Sequence, residues 1–315
     1  MRTGRASALT DTGRRRPQNE DTFVCEPPLF AVADGVGGAQ AGEIASRLAA
    51  ATLEERSQGA LGEDVLADLI TTANDRIYQH ALSDPSAAGM GTVVTALLVD
   101  EAAGTVSIGH VGDSRAYRLR QGVLEQLTSD HSLVGELVRA GRLSTEEAEA
   151  HPHRSVITRA VGTEPVVEVE TLTLMTEPGD LYLICSDGLT DIVRDQEIQD
   201  LIEAAGGEPA AASEALVAAA NRAGGIDNIT VVLFETIDGE PEPSPVVAES
   251  DDVTDVEPDG DTAEQALAAD PASIVAPAAP VQRHGAGSGG RWLALLAILL
   301  VAAAAALVVW WSIGR

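Results

Sequence analysis

The chain contains no lysine: all twenty of its basic residues are arginine, set against 49 acidic residues for a formal net charge of −29. The missing lysine, together with abundant alanine, reflects a GC-rich coding bias and carries no functional message. So negative a balance excludes the usual nucleic-acid binder, whose affinity comes from neutralising phosphates. Cysteine is equally scarce. Cys25 and Cys185 form no CxxC pair, and nothing at the N-terminus resembles a signal peptide. A reducing cytosol is therefore the expected compartment, with both cysteines as buried thiols. What is present suffices for a core: 45% of the 315 residues are hydrophobic, enough for one large domain or two small ones.

Strand-like and helix-like patterns alternate over residues 1–236. Leu29 to Ala33 is a short apolar run that stops at Asp34-Gly35, the pattern of a buried strand delivering a carboxylate to a sheet end. Tyr182 to Cys185 repeats that design ahead of Asp187. Thr92 to Val99 is β-branched and apolar, and Val106, Ile108 and His110 share one strand face by period-two alternation, which places Asp113 on the opposite face. Val65, Leu66, Leu69, Ile70, Ala73 and Ile77 follow helical spacing, as do Ala212, Leu216, Val217 and Ala220. Strands and helices arrive in blocks rather than in strict βαβ alternation, so the expected class is α+β and layered.

After residue 236 the texture changes. Thirteen acidic residues fall between Glu235 and Asp270 with no arginine among them, and a Gly/Ser segment follows at Gly285 to Gly290. Residues 237–290 cannot bury enough surface to offset their ordering entropy and are expected to form a disordered linker. Trp292 to Ile313 is a stretch of 22 uncharged positions between Arg291 and Arg315, with Trp292, Trp310 and Trp311 at its ends. A helix of that length spans roughly 33 Å, the thickness of a bilayer core, so residues 291–315 are expected to be a transmembrane helix. Arg283 and Arg291 favour an interior N-terminal side, which Arg315 partly offsets. The expected topology is a cytoplasmic catalytic part on a C-terminal anchor.

Five acidic turns punctuate the first part: Asn19-Glu20-Asp21, Asp34-Gly35, Gly112-Asp113-Ser114, Ser186-Asp187-Gly188 and Asp227-Asn228. Singly each is an ordinary turn-former. Together, at the ends of apolar runs, they aim carboxylates from separate strand ends into one space, an arrangement that repels itself unless divalent cations fill it. Arg14, Arg15 and Arg16 precede the first turn and a glycine-rich Gly35-Val36-Gly37-Gly38 follows Asp34. Glycine lets a backbone carbonyl approach an ion, and arginine offers a planar fork to phosphate oxygens. Oxygen ligands without clustered histidine or cysteine indicate Mg2+ or Mn2+ rather than zinc.

The ordered set R-P-Q-N-E-D (16–21), A-D-G-V-G-G (33–38), H-V-G-D-S-R-A-Y (110–117), L-T-S-D-H-S (127–132), H-R-S-V-I-T-R-A-V-G (153–162), C-S-D-G-L (185–189) and D-N-I-T (227–230) resembles the metal-dependent serine/threonine protein phosphatases of type 2C, the bacterial branch above all. The resemblance covers about residues 10 to 236. It implies a four-layer α/β/β/α sandwich of two antiparallel sheets flanked by helices, with two Mn2+ or Mg2+ ions at one end. Asp34 would bridge the ions and the Gly35 carbonyl would bind one of them. Asp187 and Asp227 would complete the other site, while Glu20 and Asp21 would act through water or hydrogen bonds. Asp113 matches the position that, with the SDG aspartate, holds a third, weaker metal in bacterial members. Arg16 matches the phosphate-gripping arginine. Arg16, Asp34 and Asp187 are thus the expected catalytic residues.

The implied chemistry is direct hydrolysis of phosphoserine and phosphothreonine by a metal-bridging hydroxide, and the expected partners are phosphorylated proteins, membrane Ser/Thr kinases and their targets among them. One departure stands out. Ala39 and Gln40 occupy positions where many bacterial relatives carry histidine, and no histidine directly follows Asp34-Gly35 as in some eukaryotic members. His110 is expected as a hydrogen-bonded core residue and His131 as a structural one leading into the variable flap, Leu133 to Glu149, with positioning of that flap as the alternative role. His151 and His153 lack metal-ligand spacing, and Arg14 and Arg15 fit a solvated basic patch. A non-catalytic phospho-reader of the same fold, a phosphatase of small phosphoesters and an acidic calcium-binding surface protein are the rival readings.

Overall fold

The ten strands found in the computed structural model, which describes residues 1–37, 41–56 and 61–239, all pair antiparallel. In chain order the elements are β1 (Arg2–Asp11), β2 (Thr22–Glu26), β3 (Leu29–Val36), α1 (Gly42–Arg56), α2 (Glu63–Ser83), β4 (Gly91–Asp100), β5 (Thr105–Val111), β6 (Arg115–Arg120), β7 (Val123–Gln126), α3 (Leu133–Arg139), α4 (Thr145–Glu149), β8 (Glu170–Met175), β9 (Leu181–Cys185), α5 (Asp187–Thr190), α6 (Asp195–Ala204), α7 (Pro209–Arg222) and β10 (Ile229–Ile237). One sheet runs β1-β10-β9-β6-β7 and the other β2-β3-β4-β5-β8. The expected α+β class and pair of sheets are what the chain adopts.

Three apolar interfaces hold four layers together. Strand alternation divides each sheet between two of them: Phe30 and Val32 face the other sheet, while Ala31 and Ala33 face α1 and α2. Between the sheets, Phe30, Leu97 and Ile108 meet Tyr182, Val232 and Phe234. The Phe30 and Phe234 rings stack at 4.0 Å and the Tyr182 and Phe234 rings at 5.0 Å, adding aromatic stacking to the buried area. On the outer side of one sheet, α2 buries Leu66, Leu69, Ile70, Ala73 and Ile77, the stripe its helical spacing predicts. On the outer side of the other, α7 buries Ala212, Leu216, Val217 and Ala220.

Strand β5 is buried on both faces, because helices cover one side and the second sheet the other, and Val106 and Ile108 share its inter-sheet face as their alternation predicts. One local expectation needs correction. Asp113 does not lie on the far face of that strand. It sits in the turn beyond it, where Gly112 takes φ +119° and packs against Val93, a place with no room for a side chain. His110 is buried as expected, and so is Cys185, but Cys25 is only half-buried. Among the described residues no helix is long and apolar enough to cross a membrane. The expected linker from Glu240 on and the span at 291–315 lie outside the described residues, as do Ala39 and Gln40.

Sheet register brings the acidic turns to one end of the sandwich. Cys185 pairs with Val231 on one side and with Arg115 on the other. Asp187, Asp227 and Asp113 therefore emerge from three neighbouring strand ends. In the second sheet, Thr22 pairs with Ala33, which sets Asp21 beside Asp34.

Candidate active site

Asn228 builds the floor. Its side-chain oxygen accepts from the Glu20 amide at 2.8 Å, and its amide nitrogen donates to the carbonyls of Thr12 and Gln18, both at 2.9 Å. One residue thus fixes the loop that carries Arg16, Glu20 and Asp21. The Glu20 carbonyl accepts from the Gly35 amide at 3.2 Å and from the Ser46 hydroxyl at 2.6 Å. Gly35 also packs against the Gly42 backbone, where a Cβ would collide.

Asp21 is held at one oxygen only. Its Oδ2 accepts from the hydroxyls of Thr230 at 2.6 Å and Ser186 at 2.9 Å, while Oδ1 is buried without a protein partner. Leaving a buried carboxylate oxygen bare is costly. A divalent cation or its water is the kind of ligand that satisfies such an atom. Burial pushes the Asp21 carboxyl up to about 6, against the two hydroxyl bonds and a contact with the Asp34 carboxyl.

The other carboxylates crowd around it. Burial first, then the charges of Asp21, Asp187, Asp113 and Asp227, hold the Asp34 carboxyl well above its ordinary range. Asp187 is raised in the same way by burial and by Asp113, Asp191, Asp227 and Asp21. Asp113 is pushed up to about 7 by burial and the nearby Asp130. Glu20 is raised by burial, with Arg16 pulling the other way and Asp227 and Glu43 adding to the rise. The sequence-predicted set is therefore brought together at one place. The electrostatic cost of such a cluster is what a hard divalent cation relieves, and its all-oxygen character fits Mg2+ or Mn2+.

The side chains do not themselves close on one point. Among the described residues no group of three or more Asp, Glu, His or Cys is arranged to hold a single ion, including the expected trio Asp34, Asp187 and Asp227. Asp227 has another partner: Arg16 Nη2 donates to Asp227 Oδ2 at 2.6 Å. The arginine expected to grip phosphate is thus folded back onto an expected metal ligand.

Several residues of the site were not singled out in the sequence. Asp191, one turn along from Asp187, adds a further raised carboxyl with Arg154 Nε at 3.7 Å. The S-D-G-L-T-D run could have flagged it by helical i,i+4 spacing. Ser186, Thr230 and Asn228 lie inside quoted motifs, but their bonds span more than 160 residues each and leave no local signal. The flap segment is helical at α3 and α4, capped by Ser132 and Ser144.

The profile of the protein phosphatase 2C family matches residues 19–218. The serine/threonine protein phosphatase PstP of Mycobacterium tuberculosis is 41% identical over 239 residues, covering 74% of this chain but only 45% of PstP. The chain thus spans less than half the length of that relative. The serine/threonine phosphatase stp of Listeria monocytogenes is 40% identical over 242 residues, covering 73% of this chain and 95% of stp. The crystal structure of the M. tuberculosis phosphatase PstP/Ppp superposes with a TM-score of 0.70 at 38% identity, over 74% of this chain and 99% of that one. The PstP catalytic domain in complex with two manganese ions gives 0.68 at 37% identity, over 74% and 98%. Sandwich, acidic end and motif order thus agree with profile and relatives alike, and this chain belongs to the protein phosphatase 2C family.

Proposed function

We propose that the chain is a Mg2+- or Mn2+-dependent phosphatase that hydrolyses phosphoserine and phosphothreonine in proteins. The observation that carries the proposal is the convergence of carboxylates from five separate turns, one with an orphaned oxygen, beside a partly exposed arginine. Asp34 and the Gly35 carbonyl, with Asp187 and Asp227, would hold two ions. Glu20 and Asp21 would reach them through water or hydrogen bonds, and Asp113 with Asp187 would hold a third, weaker one. When bound, the cations supply Lewis acidity, offsetting phosphoryl charge and lowering the pKa of water.

The chain's own residues supply position. Ser186 and Thr230 fix Asp21, and Asn228 fixes the arginine-bearing loop. Arg16 is partly exposed, and its pair with Asp227 is a surface pair worth about 0–1 kcal/mol. It exchanges that partner for phosphoryl oxygens at little cost, and its fork suits them. The protein substrate class is supported by the names of the relatives.

Two finer parts of the proposal rest on sequence. Residues 291–315 anchor the chain in a membrane through the 237–290 linker, with residues 1–236 as the catalytic domain in the cytoplasm. Membrane Ser/Thr kinases and their targets are then the favoured substrates, because tethering raises effective concentration without new contacts. Removing residues 291–315 should leave peptide turnover intact while changing which membrane substrates are dephosphorylated.

Comparing phosphothreonine peptides with nucleotides and sugar phosphates at equal concentration tests the substrate class. Peptide preference in kcat/KM supports the proposal, and equal or better turnover of small phosphoesters refutes it.

A further inference from the structure

We propose that His131, backed by His110, is a positioning residue for Asp113: the pair grips the Gly112-Asp113-Ser114 turn on both flanks and so sets the affinity of the Asp113 site for a divalent cation. Only that last step rests on the phosphatase proposal.

On the upstream flank, both backbone groups of Gly112 are bound to one residue. The His131 amide donates to the Gly112 carbonyl at 2.7 Å, and the Gly112 amide donates to His131 Nδ1 at 3.0 Å. On the downstream flank, the Ser114 hydroxyl lies 2.7 Å from Thr95 Oγ1, which in turn lies 2.9 Å from His110 Nδ1. The two imidazoles stack with centroids 4.7 Å apart. Thr95, His110, Ser114 and His131 are all buried.

The partners decide both tautomers. His131 Nδ1 faces an N–H donor and is therefore bare, so Nε2 carries the hydrogen and donates to Glu170 Oε2 at 3.1 Å. Arg159 Nη1 lies 3.3 Å from that Nε2, but it can only donate, and it does so to the Glu168 carbonyl at 3.1 Å. His110 Nε2 faces the Ser129 carbonyl at 3.2 Å, so it too carries the hydrogen, leaving Nδ1 bare at 2.9 Å from Thr95 Oγ1, whose single hydrogen lies between that nitrogen and the Ser114 carbonyl at 3.0 Å.

His131 also reaches the segment beyond it. Its carbonyl accepts from the Thr158 amide at 2.8 Å, and the next residue, Ser132, caps α3. One residue thus joins the Asp113 turn to the 133–161 segment. The part of His131 that acts on the turn is an acceptor at Nδ1, which an asparagine side chain can imitate and a glutamine, matching Nε2, cannot.

The test uses the 315-residue chain, with Mn2+ binding followed by electron paramagnetic resonance of the free ion and amide exchange followed at Gly112. His131→Gln is expected to weaken, by roughly tenfold or more, the Mn2+ site that Asp113→Asn abolishes, and to speed Gly112 exchange by about as much. His131→Asn is expected to keep both within about threefold of the wild type. A His131→Gln chain that matches the wild type in both measurements, or an asparagine variant as impaired as the glutamine one, overturns the proposal. Should neither variant fold, imidazole 15N shifts of the wild type decide: an Nε2–H tautomer at both rings is expected, and an Nδ1–H tautomer at His131 overturns it. If Asp113→Asn removes no Mn2+ site, the metal assignment has failed, while Gly112 exchange still judges the role of His131.

Discussion

Arg16 and Asp227 lie 2.6 Å apart across 211 residues of sequence, each with its side chain partly in solvent. The contact joins two expected functions in one ion pair: Asp227 can hold either the guanidinium or a cation, and Arg16 either the carboxylate or a phosphate. Neither role needs the pair to persist. Burial pulls the Arg16 pKa down while the neighbouring Asp227, Glu20 and Asp187 push it up, and the carboxylates prevail, so it stays charged throughout the exchange.

Removing that arginine should separate substrate binding from metal binding. Arg16→Ala is expected to raise KM for a phosphothreonine peptide by roughly 10- to 100-fold, and Arg16→Lys to recover only part of the loss because it lacks the fork. Mn2+ affinity should hold or improve, since Asp227 is freed. Steady-state kinetics beside a Mn2+ titration reads both, and an unchanged KM in Arg16→Ala contradicts the assignment.

Ion-free protein should become less stable as pH rises through the range of its crowded carboxylates. The folded-state pKa of Asp113 is raised to about 7 by burial and Asp130, so its contribution is present below the ordinary carboxylate range and is lost as pH rises through about 7. The slope is about 1.4 kcal/mol per pH unit for one such group. Thermal melts of chelated wild type and Asp113→Asn between pH 5 and 7.5 should differ by this slope, and Mn2+ should flatten the difference. Parallel melting profiles in the absence of metal would count against the cluster.

His110 runs the other way. Burial, with His131 nearby, lowers it to about 3, so it stays neutral in the fold while the unfolded chain takes up a proton below about 6.5. Stability is therefore lost as pH falls from about 6.5 toward 3, at about 1.4 kcal/mol per unit. His110→Asn removes the titrating group, and its urea-unfolding free energy should lack that part of the acid slope. Identical acid slopes in the two proteins contradict the assignment.

The inter-sheet aromatics should matter for stability and little for chemistry. Phe234 is fully buried and stacks on both Phe30 and Tyr182. Phe234→Ala is expected to cost about 3–5 kcal/mol, seen as a lower urea midpoint, with kcat little changed well below the new melting temperature. A loss under 1 kcal/mol places the main core elsewhere.

How far the sequence could be read depended on whether the signal was local. Leu29 to Ala33, Tyr182 to Cys185 and the two helical stripes were legible because periodicity is written in neighbouring residues. The carboxylates were legible because turn motifs in a fixed order resemble a family. The Asp113 turn was misplaced because period-two alternation carries no information about where a strand ends, and Gly112 ends it. The Arg16–Asp227 pair and the hydroxyl cradle of Asp21 are not legible, since their partners lie 211, 165 and 209 residues apart in sequence and meet only in the fold. The grip of His131 on Gly112 has no local signal either, since the two residues lie 19 apart and meet only in the fold.

The most direct measurement is the rate at which the 315-residue chain hydrolyses a phosphothreonine peptide with Mn2+, after chelation, and with Asp187→Asn. Chelation should reduce turnover to background and Mn2+ restore it, while Asp187→Asn should lose roughly a hundredfold or more together with Mn2+ affinity. Undiminished hydrolysis by the stripped protein, or a wild-type rate and Mn2+ affinity in Asp187→Asn, would contradict a phosphatase built on convergent carboxylates and divalent cations.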